Sequence, residues 1–422
     1  MRTLELHPAM TSPHPPDWPG ALWVGALDVH TIAGFEQVHL RKSDGYTKAR
    51  LLVCEGPAVR GFIELDAPNG LIARAELDDA IAVLPRSQGH VDAVQFPTIT
   101  VIVCTRDRPS QLRGALTAIF ALDYPNFDVL VVDNASRTSE TRDLVQNEFA
   151  ASTVSLVREP TPGLGVARNT GLRAATGEIV AYTDDDVIVD AAWLTELSAG
   201  FSRGPNVDCV TGLVPSGELR TPAQSYFDGR VSWSKNLVPR TFSLADPPSD
   251  LPMFPFSIGE FGTGANFALR RSAALELGGF DTALGVGTRT GGGEDIDMFT
   301  RVILDGRTLV TQPSAIVWHR NRDDIAALRL QARGYGTGLG AWLAKLFTHP
   351  RTARLALVRG PRALTRLVSL AWRRPAPVAG ARLADDWERE IARIGWVELL
   401  SVARGPLSYL LQRRSGKAQG ND

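Results

Sequence analysis

The chain has 422 residues, of which 44% are hydrophobic and 22% are charged. That much apolar material can form two or three packed domains, and it excludes collagen, a coiled coil and a wholly disordered chain. The 45 basic and 46 acidic side chains give a formal net charge of −1, so the total charge indicates neither a nucleic-acid nor a membrane partner.

The cysteines and the N-terminus bear on cellular location. Cys54, Cys104 and Cys209 are an odd number with no paired spacing, which is typical of reduced thiols in an intracellular protein. The first residues include no apolar run of signal-peptide length, and the chain never runs about 18 apolar residues without a charge. We therefore expect a cytoplasmic protein without a membrane-spanning helix.

Residues 1–95 have the pattern of a small β-rich accessory domain. The Pro-rich stretch from Pro8 to Pro19 is expected to be an irregular tail. Short runs of apolar and β-branched residues follow, separated by turn signals, and they predict strands over residues 21–24, 49–54 and 59–65.

From residue 96 to 320 the pattern changes to repeated strand, loop and helix units. Apolar runs predict strands over residues 98–103, 127–132, 154–157 and 178–183. The segments between them predict helices over residues 110–122, 139–149 and 165–175. This spacing is typical of β-α-β units in an α/β domain, where ligands bind at the carboxyl ends of the strands.

Three consecutive acids, Asp184 to Asp186, follow the last of these strands. Carboxylates this close raise one another's pKa unless a cation is present, and Mg²⁺ or Mn²⁺ held by carboxylates and substrate phosphates would remove that cost. The alternative is an acidic loop that caps a helix near residues 191–200. The triplet alone does not decide between the two.

Two further motifs contain groups that could react or bind metal. Glu294 and Asp295 follow three glycines and begin an apparent helix; a carboxylate there could act as a general base, or the pair could simply favour the helix N-terminus. His319 ends an apolar run, where an imidazole could bind metal or could be an ordinary packed residue.

Seven segments, in order, resemble the family 2 glycosyltransferases, which are inverting enzymes of the GT-A fold. They are VIVCTRDRP from Val101, VVDNAS from Val131, PGLGVARNTG from Pro162, TDDD from Thr183, GTGANFALRR from Gly262, GGFD from Gly278 and GEDID from Gly293. The resemblance covers about residues 97–320 and implies a Rossmann-like mixed sheet for the catalytic domain.

The resemblance implies roles for residues on the donor side. Residues of the loop after the first strand line the nucleotide; they are Thr105, Arg106, Asp107 and Arg108. Asp133 contacts the base, and the segment with Gly163, Arg168 and Asn169 closes over the donor, with Asp184 and Asp185 also on the donor side.

The same resemblance implies a metal site and a base. Asp184 and Asp186 match the two acids of the D-x-D motif, and Asp186 holds Mn²⁺ or Mg²⁺ on the diphosphate together with His319. Asp295 matches the catalytic base of the pair with Glu294. The expected reaction moves a sugar from a nucleotide diphosphate sugar to a hydroxyl acceptor, a lipid-linked or cell-envelope glycan. The alternatives are a nucleotidyltransferase that makes a nucleotide sugar and a carbohydrate-binding protein with an inactive site.

Residues 321–422 form a basic and mainly helical C-terminal region. Between residues 325 and 384 there are 11 Arg and Lys and no acid, interleaved with apolar residues. Two interpretations remain: a helix on the anionic inner face of the cytoplasmic membrane, or a helical hairpin packed on the catalytic domain. No RNA-binding module accompanies it, so no nucleic-acid partner is expected. The GYGTGLG run from Gly334 lacks the strand and the Lys of a phosphate loop and receives no such role.

The near-zero total charge is a sum of unequal parts. Residues 320–422 have 19 basic and 8 acidic side chains, a net charge of +11, so residues 1–319 have −12. The total therefore does not exclude a membrane surface or a phosphorylated acceptor.

Overall fold

The structure is a computed structural model that describes residues 2–86, 93, 95–150, 152–358 and 385–419. Its N-terminal part has two three-stranded sheets. The first, in spatial order, contains β1 (Thr3–Leu6), β3 (Gln37–Leu40) and β6 (Leu71–Ala73). The second contains β2 (Leu22–Asp28), β4 (Lys48–Glu55) and β5 (Ala58–Asp66). Helix α1 (Arg74–Ala82) follows, and the three expected strands are confirmed as β2, β4 and β5.

The alternation of side chains along β4 explains how the N-terminal part packs. Leu51 and Val53 point into its own core, whereas Leu52 joins a cluster with Leu213 and Trp318 of the following domain. The prediction of a tail over residues 8–19 is wrong: the segment is irregular, but it follows β1, and Met10 is buried in that same cluster. The apolar side chains on both faces of the second sheet favour this burial.

The central sheet has nine strands. In chain order they are β7 (Ile99–Thr105), β8 (Phe127–Asn134), β9 (Val154–Glu159), β10 (Ile179–Thr183), β11 (Val187–Val189), β12 (Val207–Leu213), β13 (Arg240–Phe242), β14 (Asn266–Arg270) and β15 (Thr308–His319). Their spatial order is β11-β15-β12-β14-β10-β7-β8-β9, and β13 pairs with β15. Strands β10, β7, β8 and β9 are parallel, and β14 is antiparallel to both β10 and β12. The four strands predicted from apolar runs are confirmed, and the mixed sheet agrees with the expected fold class.

Helices and loops cover both faces of this sheet. Along the central strands, the side chains that point to either face are mainly apolar. Val101 and Val103 of β7 pack on one side with α2 (Pro109–Ile119) and α5 (Trp193–Phe201). Ile102 packs on the other side. The remaining helices of this part are α3 (Glu140–Glu148), α4 (Leu164–Ala174), α6 (Pro222–Arg230), α7 (Arg271–Glu276) and α8 (Glu294–Leu304).

The C-terminal region is helical where it is described. It contains α9 (Ile325–Leu346), α10 (residues 350–358), α11 (Asp385–Val402) and α12 (Gly405–Gln419). Helix α9 packs on the preceding domain: Lys345 Nζ lies 2.8 Å from both Asp281 Oδ2 and Asp297 Oδ1, and Tyr409 of α12 donates to Asp281 at 2.8 Å. This agrees with the packed interpretation for residues 325–346. The arginines between 359 and 384 lie outside the described residues, and so does that part of the membrane hypothesis.

The GYGTGLG run lies inside α9, where its glycines allow close contact on two sides. A Cβ on Gly338 would lie 2.6 Å from the Gly292 carbonyl carbon, and one on Gly340 would lie 2.0 Å from the Val402 carbonyl oxygen. Gly334 meets Gly291 in the same way. The run therefore serves helix packing, which is consistent with the absence of a phosphate-loop assignment. Among the described helices, none is both long and apolar enough to span a bilayer.

Candidate active site

The polar residues predicted at the strand ends do meet at one edge of the sheet. The parallel register pairs Thr105 of β7 with Asp133 of β8, and Thr183 at the end of β10 lies opposite Val103. Thr105, Asp133 and the acids after Thr183 are therefore neighbours across adjacent strands, as expected for a ligand site at the carboxyl ends of parallel strands.

The loop after β7 is fixed to the loop after β8. Asp107 has a positive φ of 54°, its backbone N–H donates to Ser136 Oγ at 3.0 Å, and its carboxylate accepts from the N–H and Nε of Arg137 at 2.8 and 2.9 Å. These hydrogen bonds lower the pKa of Asp107. Arg106 is exposed beside it. The two loops therefore lie side by side at the carboxyl ends of β7 and β8.

Asp133 has an unsatisfied acceptor. Its side chain is buried, and Oδ1 has no hydrogen-bond partner among the described residues. A buried carboxylate oxygen without a donor is costly, so it marks a place where a ligand N–H or O–H would fit. The next residue, Asn134, accepts from the backbone N–H of Gly163 at 3.0 Å, and Gly163 begins α4 with a φ of 141°.

The acid triplet lies between two strands. Asp184 to Asp186 connect β10 to β11, whereas Asp190 is the acid that accepts from the N–H of Ala192 beside α5. The alternative that the triplet caps a helix is therefore wrong, because Asp190 and not the triplet lies at the start of α5. Asp185 turns toward the β7 loop and accepts from Thr105 Oγ1 at 2.7 Å and from Arg108 at 3.1 Å.

Asp184, Asp186 and His319 form what we call the acid–histidine cluster. One ligand atom from each lies within 4.8 Å of the others, and His319 Nε2 is 3.3 Å from Asp186 Oδ1. The side chain of Asp184 is 34% exposed, so the cluster is accessible to solvent on that side. Two carboxylates and one imidazole are a donor set that suits Mn²⁺ or Mg²⁺, and their spacing fits a single ion.

The electrostatics of this cluster also favour a cation. Burial, and then the charge of Asp186, raise the pKa of Asp184 to about 6. Burial alone would raise the pKa of Asp186, but His319, Arg322 and Arg108 together hold it well below its usual range. Asp186 raises the pKa of His319 in return, against the effect of burial. A bound divalent ion would remove the repulsion felt by Asp184.

Glu294 and Asp295, the α8 acid pair, begin α8 after Gly293, which has a left-handed φ of 97°. Both interpretations of the pair place it at a helix N-terminus, and that is its position. Asp295 is partly exposed; its Oδ2 accepts from the Gly264 N–H at 2.8 Å and its Oδ1 from the Ile296 N–H at 2.8 Å. These backbone donors fix its orientation.

Glu294 is buried, and its environment differs from that of Asp295. Burial raises its pKa to about 7, although Arg168 opposes that shift. Its Oε1 accepts from Arg168 at 2.9 Å, and its Oε2 has no hydrogen-bond partner among the described residues. Glu294 is thus a buried acid with one free acceptor.

Arg168 joins the two groups of acids. Its guanidinium is buried, lies 3.9 Å from Asp184 and 2.9 Å from Glu294, and donates to the Gly264 carbonyl at 2.9 Å. The ring of Phe267 lies under it at 5.3 Å. Arg168 therefore places the acid–histidine cluster and the α8 acid pair in one site.

Asn169 is expected on the donor side, and in the structure it holds a neighbouring loop. Its amide exchanges two hydrogen bonds with the backbone of Phe280, at 2.8 and 2.7 Å. A direct contact of Asn169 with the donor stays a prediction, as do the donor contacts of the other strand-end residues.

Sequence reasoning missed several residues of the site. Arg322 lies 3.7 Å from Asp186, and it could have been found because it follows His319 in the same basic run. The Gly264 backbone donates to Asp295 and accepts from Arg168. The sequence pattern indicated the segment that begins at Gly262 but gave Gly264 no role. Tyr335 of α9 is 42% exposed and pairs edge to face with Trp233 at 6.4 Å, and no sequence signal connects these two rings.

The chain is similar to known glycosyltransferases. The model of the family described as Glycosyl transferase family 2 matches residues 100–278. Pre-mycofactocin glycosyltransferase of Mycobacterium tuberculosis is 30% identical over 385 residues, covering 87% of this chain and 72% of that protein. The succinoglycan biosynthesis protein ExoM of Rhizobium meliloti is 31% identical over 270 residues, covering 62% of this chain and 73% of that protein. A solved mannosyltransferase from Pyrobaculum calidifontis, in complex with GDP-Man and Mn²⁺, is 24% identical with a TM-score of 0.49, covering 75% of this chain and 89% of that one.

A mixed sheet with acids and arginines gathered at its strand ends, in a chain with these relatives, defines the protein as a glycosyltransferase. The chain belongs to glycosyl transferase family 2. The matched range of the family model ends at residue 278, so Asp295 and His319 lie beyond it.

Proposed function

We propose that the protein transfers a sugar from a nucleotide diphosphate sugar to a hydroxyl acceptor, with inversion at the anomeric carbon and with the help of a divalent metal. The observation that carries this proposal is Arg168, whose guanidinium lies within 3.9 Å of Asp184 and 2.9 Å of Glu294. It supports a single site in which a metal–diphosphate unit and a general base can act on one bond.

On the donor side, the proposal uses the unsatisfied acceptor of Asp133 and the basic wall of the cleft. The buried Oδ1 of Asp133 would accept from an N–H of the base. Arg108, 39% exposed and 3.1 Å from Asp185, lies where a diphosphate bound by the cluster could reach it. Arginine favours such a contact because its donors match phosphate oxygens.

Asp184, Asp186 and His319 would hold the metal. Bound there, Mn²⁺ or Mg²⁺ would neutralise the charge that grows on the departing diphosphate. Arg322 and Arg108 lie beside Asp186 and would assist in that neutralisation. Their fixed positions favour catalysis because no reorganisation is needed when the charge develops.

Asp295 would be the general base. Its partial exposure leaves it accessible to an acceptor hydroxyl, and the Gly264 and Ile296 N–H groups aim its carboxylate. The hydroxyl oxygen would attack the anomeric carbon from the face opposite the departing diphosphate while Asp295 takes the hydroxyl proton. This single displacement inverts the configuration at that carbon. Glu294 would keep Arg168 in place. One carboxylate is enough, because the diphosphate leaves as a stabilised anion.

We propose a glycan or lipid-linked acceptor of the cell envelope. Two relatives are named for glycan synthesis, ExoM for succinoglycan and RfbC of Myxococcus xanthus for O-antigen. Trp233 and the exposed Tyr335 support a sugar-stacking surface, because aromatic faces suit sugar rings. Of the other aromatic residues between 216 and 258, Tyr226, Phe227, Phe242, Phe254 and Phe256 are buried in the core.

The test is a thermal-shift screen of nucleotide sugars with and without Mn²⁺, followed by product analysis. A ligand that binds only the folded state raises the melting temperature. We expect a Mn²⁺-dependent shift with one class of nucleotide sugar, release of the nucleoside diphosphate on adding acceptor, and an inverted anomeric configuration by NMR. Synthesis of a nucleotide sugar from a nucleoside triphosphate would instead support the nucleotidyltransferase alternative, and ligand binding without turnover would support a binding protein.

We also propose a cytoplasmic location with contact to the inner face of the cytoplasmic membrane through part of residues 325–384. The excess of basic residues there supports this interpretation. The test is co-sedimentation of the full chain with phosphatidylglycerol vesicles and with phosphatidylcholine vesicles. Salt-sensitive binding to the anionic vesicles alone is expected, and no binding to either would contradict the proposal.

A further inference from the structure

A chain of hydrogen bonds leads from the N-terminal part to the acid–histidine cluster. Nη1 of the Arg50 guanidinium, on β4, donates to Asp228 Oδ2 on α6. Asp228 Oδ1 lies 2.7 Å from Ser216 Oγ, and Ser216 Oγ lies 2.7 Å from Asn321 Nδ2. Asn321 Oδ1 is 3.0 Å from His319 Nδ1. We call these four residues, Arg50, Asp228, Ser216 and Asn321, the relay.

The relay is buried and held by backbone contacts. Asp228, Ser216 and Asn321 are 6%, 7% and 6% exposed. Ser216 and His319 are paired in a parallel β-bridge, in which the Gly217 N–H donates to the His319 carbonyl at 2.8 Å. Water therefore has little access to Asp228, Ser216 and Asn321, so their side chains form hydrogen bonds with one another, with Arg50 and with His319.

The direction of every hydrogen bond follows from the charge on Asp228. Arg50 is always protonated, and the ionised carboxylate beside it can only accept. Ser216 must then donate its one hydrogen to Asp228, which leaves its oxygen free only to accept. Asn321 must turn its NH₂ group toward Ser216 and its carbonyl toward His319. The Nδ1 of His319 must therefore have a hydrogen.

This direction determines which ring nitrogen of His319 can bind metal. A neutral imidazole has a hydrogen on one nitrogen and a lone pair on the other. With the hydrogen kept on Nδ1, the lone pair is on Nε2, which is the nitrogen 3.3 Å from Asp186. Groups that fix a ligating histidine in this way usually change metal affinity by about 10- to 100-fold.

We propose that Arg50 and Asp228 are positioning residues that, through Ser216 and Asn321, hold the hydrogen of His319 on Nδ1 and direct its Nε2 lone pair to the acid–histidine cluster. The inference deepens the proposed function, because it rests on a metal at that cluster. It gives the N-terminal part a role in the proposed reaction.

Asp228→Asn is the variant that reverses the relay. An amide at position 228 would face Arg50 with its carbonyl and Ser216 with its NH₂, because Arg50 can only donate. Ser216 would then donate to Asn321, which would turn its NH₂ group toward His319 and leave no acceptor for a hydrogen on Nδ1. We expect Mn²⁺ to bind about 10- to 100-fold more weakly than to the wild type.

Adding Asn321→Asp should restore the site. A carboxylate at position 321 accepts from His319 Nδ1 whatever the state of position 228, and the double variant Asp228→Asn, Asn321→Asp has the same net charge as the wild type. We expect its Mn²⁺ affinity to return to within about 3-fold of the wild type, because the carboxylate again holds the hydrogen of the ligating histidine on Nδ1. A role of Asp228 in packing alone predicts no such rescue.

Two further variants separate the parts of the relay. Arg50→Met removes the cation that holds Asp228, and we expect about 5-fold weaker Mn²⁺ binding, which is the size of the net contribution of one ordinary hydrogen bond. Ser12→Ala is the matched control, because Ser12 also joins the N-terminal segment to the next domain, through a 2.6 Å hydrogen bond to Glu218, but lies outside the relay. Its Mn²⁺ affinity should equal that of the wild type.

The experiment has two readouts on the full chain. Electron paramagnetic resonance of free Mn²⁺ gives the dissociation constant without nucleotide. The ¹⁵N shift of His319 Nδ1 in metal-free, histidine-labelled protein, recorded at an alkaline pH where the ring is neutral, reports whether that nitrogen has a hydrogen. A His319→Gln spectrum assigns the signal. We expect a protonated Nδ1 in the wild type, in Ser12→Ala and in the double variant, and an unprotonated Nδ1 in Asp228→Asn.

The outcomes distinguish this inference from the proposed function. A protonated Nδ1 and unchanged Mn²⁺ affinity in Asp228→Asn would overturn the relay, and so would a double variant that is folded but not restored. If Asp228→Asn does not fold, Ser216→Ala replaces it, with a weakened Mn²⁺ affinity expected and an unchanged one contradicting the relay. A wild type that binds no Mn²⁺ would overturn the metal in the proposed function, while the Nδ1 signal would still decide the direction of the relay.

Discussion

The acid–histidine cluster and the α8 acid pair are both in reach of Arg168, but different forces support them. Behind His319 lies a line of directional hydrogen bonds that ends at Arg50 in the N-terminal part. Before Glu294 lies a glycine loop that touches the glycines of α9, where Gly338 meets Gly292. Polar groups support the first region, and close backbone packing supports the second.

In the proposed roles, segments outside the matched range of the family model act on one site. Arg50 and Gly338 both lie beyond the matched residues 100–278. A ligand histidine needs a defined hydrogen position, which only a polar partner can supply. A helix N-terminus that presents a base needs only a fixed position, which shape alone can supply. Variants that remove one kind of support at a time should separate the two.

Asp295→Asn is expected to have the largest effect. Removing the proposed base should lower the transfer rate by about 10²- to 10⁴-fold, while donor binding stays within about 2-fold, because the role proposed for Asp295 is toward the acceptor. The measurements are acceptor-dependent nucleotide release and calorimetry of donor binding. Asp297→Asn is the control: Asp297 faces Lys345 and Arg301 at 2.8 Å, so it should lower stability more than turnover. Near wild-type turnover in Asp295→Asn would rule out this base.

Asp186→Asn is expected to weaken the acid–histidine cluster next. Loss of a ligand carboxylate should reduce Mn²⁺ affinity by at least about 100-fold, since even residues behind a ligand have effects up to that size. Free Mn²⁺ measured by electron paramagnetic resonance gives the dissociation constant. Asp208→Asn, an acid paired with Arg307 at 2.8 Å away from the cluster, should bind Mn²⁺ like the wild type. Equal losses in both variants would contradict the assignment.

Gly338→Ala tests the packing behind the α8 acid pair. The added Cβ would lie 2.6 Å from the Gly292 carbonyl carbon, so the loop before α8 has to move. We expect a loss of about 1–3 kcal/mol in the free energy of unfolding, together with slower transfer. Gly114→Ala, in α2 with nothing within 4 Å of the new Cβ, should be neutral or stabilising. Urea unfolding of both variants measures this, and equal stabilities would contradict the packing role.

The pH dependence of stability should reflect Glu294. Its pKa rises from 4.5 to about 7 on folding, so the folded state binds this proton more tightly than the unfolded state. Between those values the free energy of unfolding therefore falls as pH rises. Glu294→Gln removes this titration, and the wild type should lose about 1–3 kcal/mol relative to the variant from pH 5 to pH 8. If urea unfolding gives parallel pH profiles for the wild type and Glu294→Gln, Glu294 is not the group responsible.

Local patterns in the sequence predicted much of the fold. Apolar runs identified β7, β8, β9 and β10, because a buried parallel strand must be apolar on both faces. The polar residues directly after these strands identified one edge of the sheet as the site, and the structure brings Thr105, Asp133 and the acid triplet together there. Chain direction and strand polarity alone determine that meeting.

Other features depended on contacts between residues far apart in the chain. The sequence could not show that Asp185 turns to Thr105, that Asn169 binds the Phe280 backbone or that Met10, within the Pro-rich segment, is buried against the next domain. It could not show that the glycines of α9 meet those of residues 291–293. The sequence by itself determined which chemical groups the site has. Only the tertiary structure decided which way they point, because hydrogen-bond direction and close packing depend on partners that no local pattern specifies.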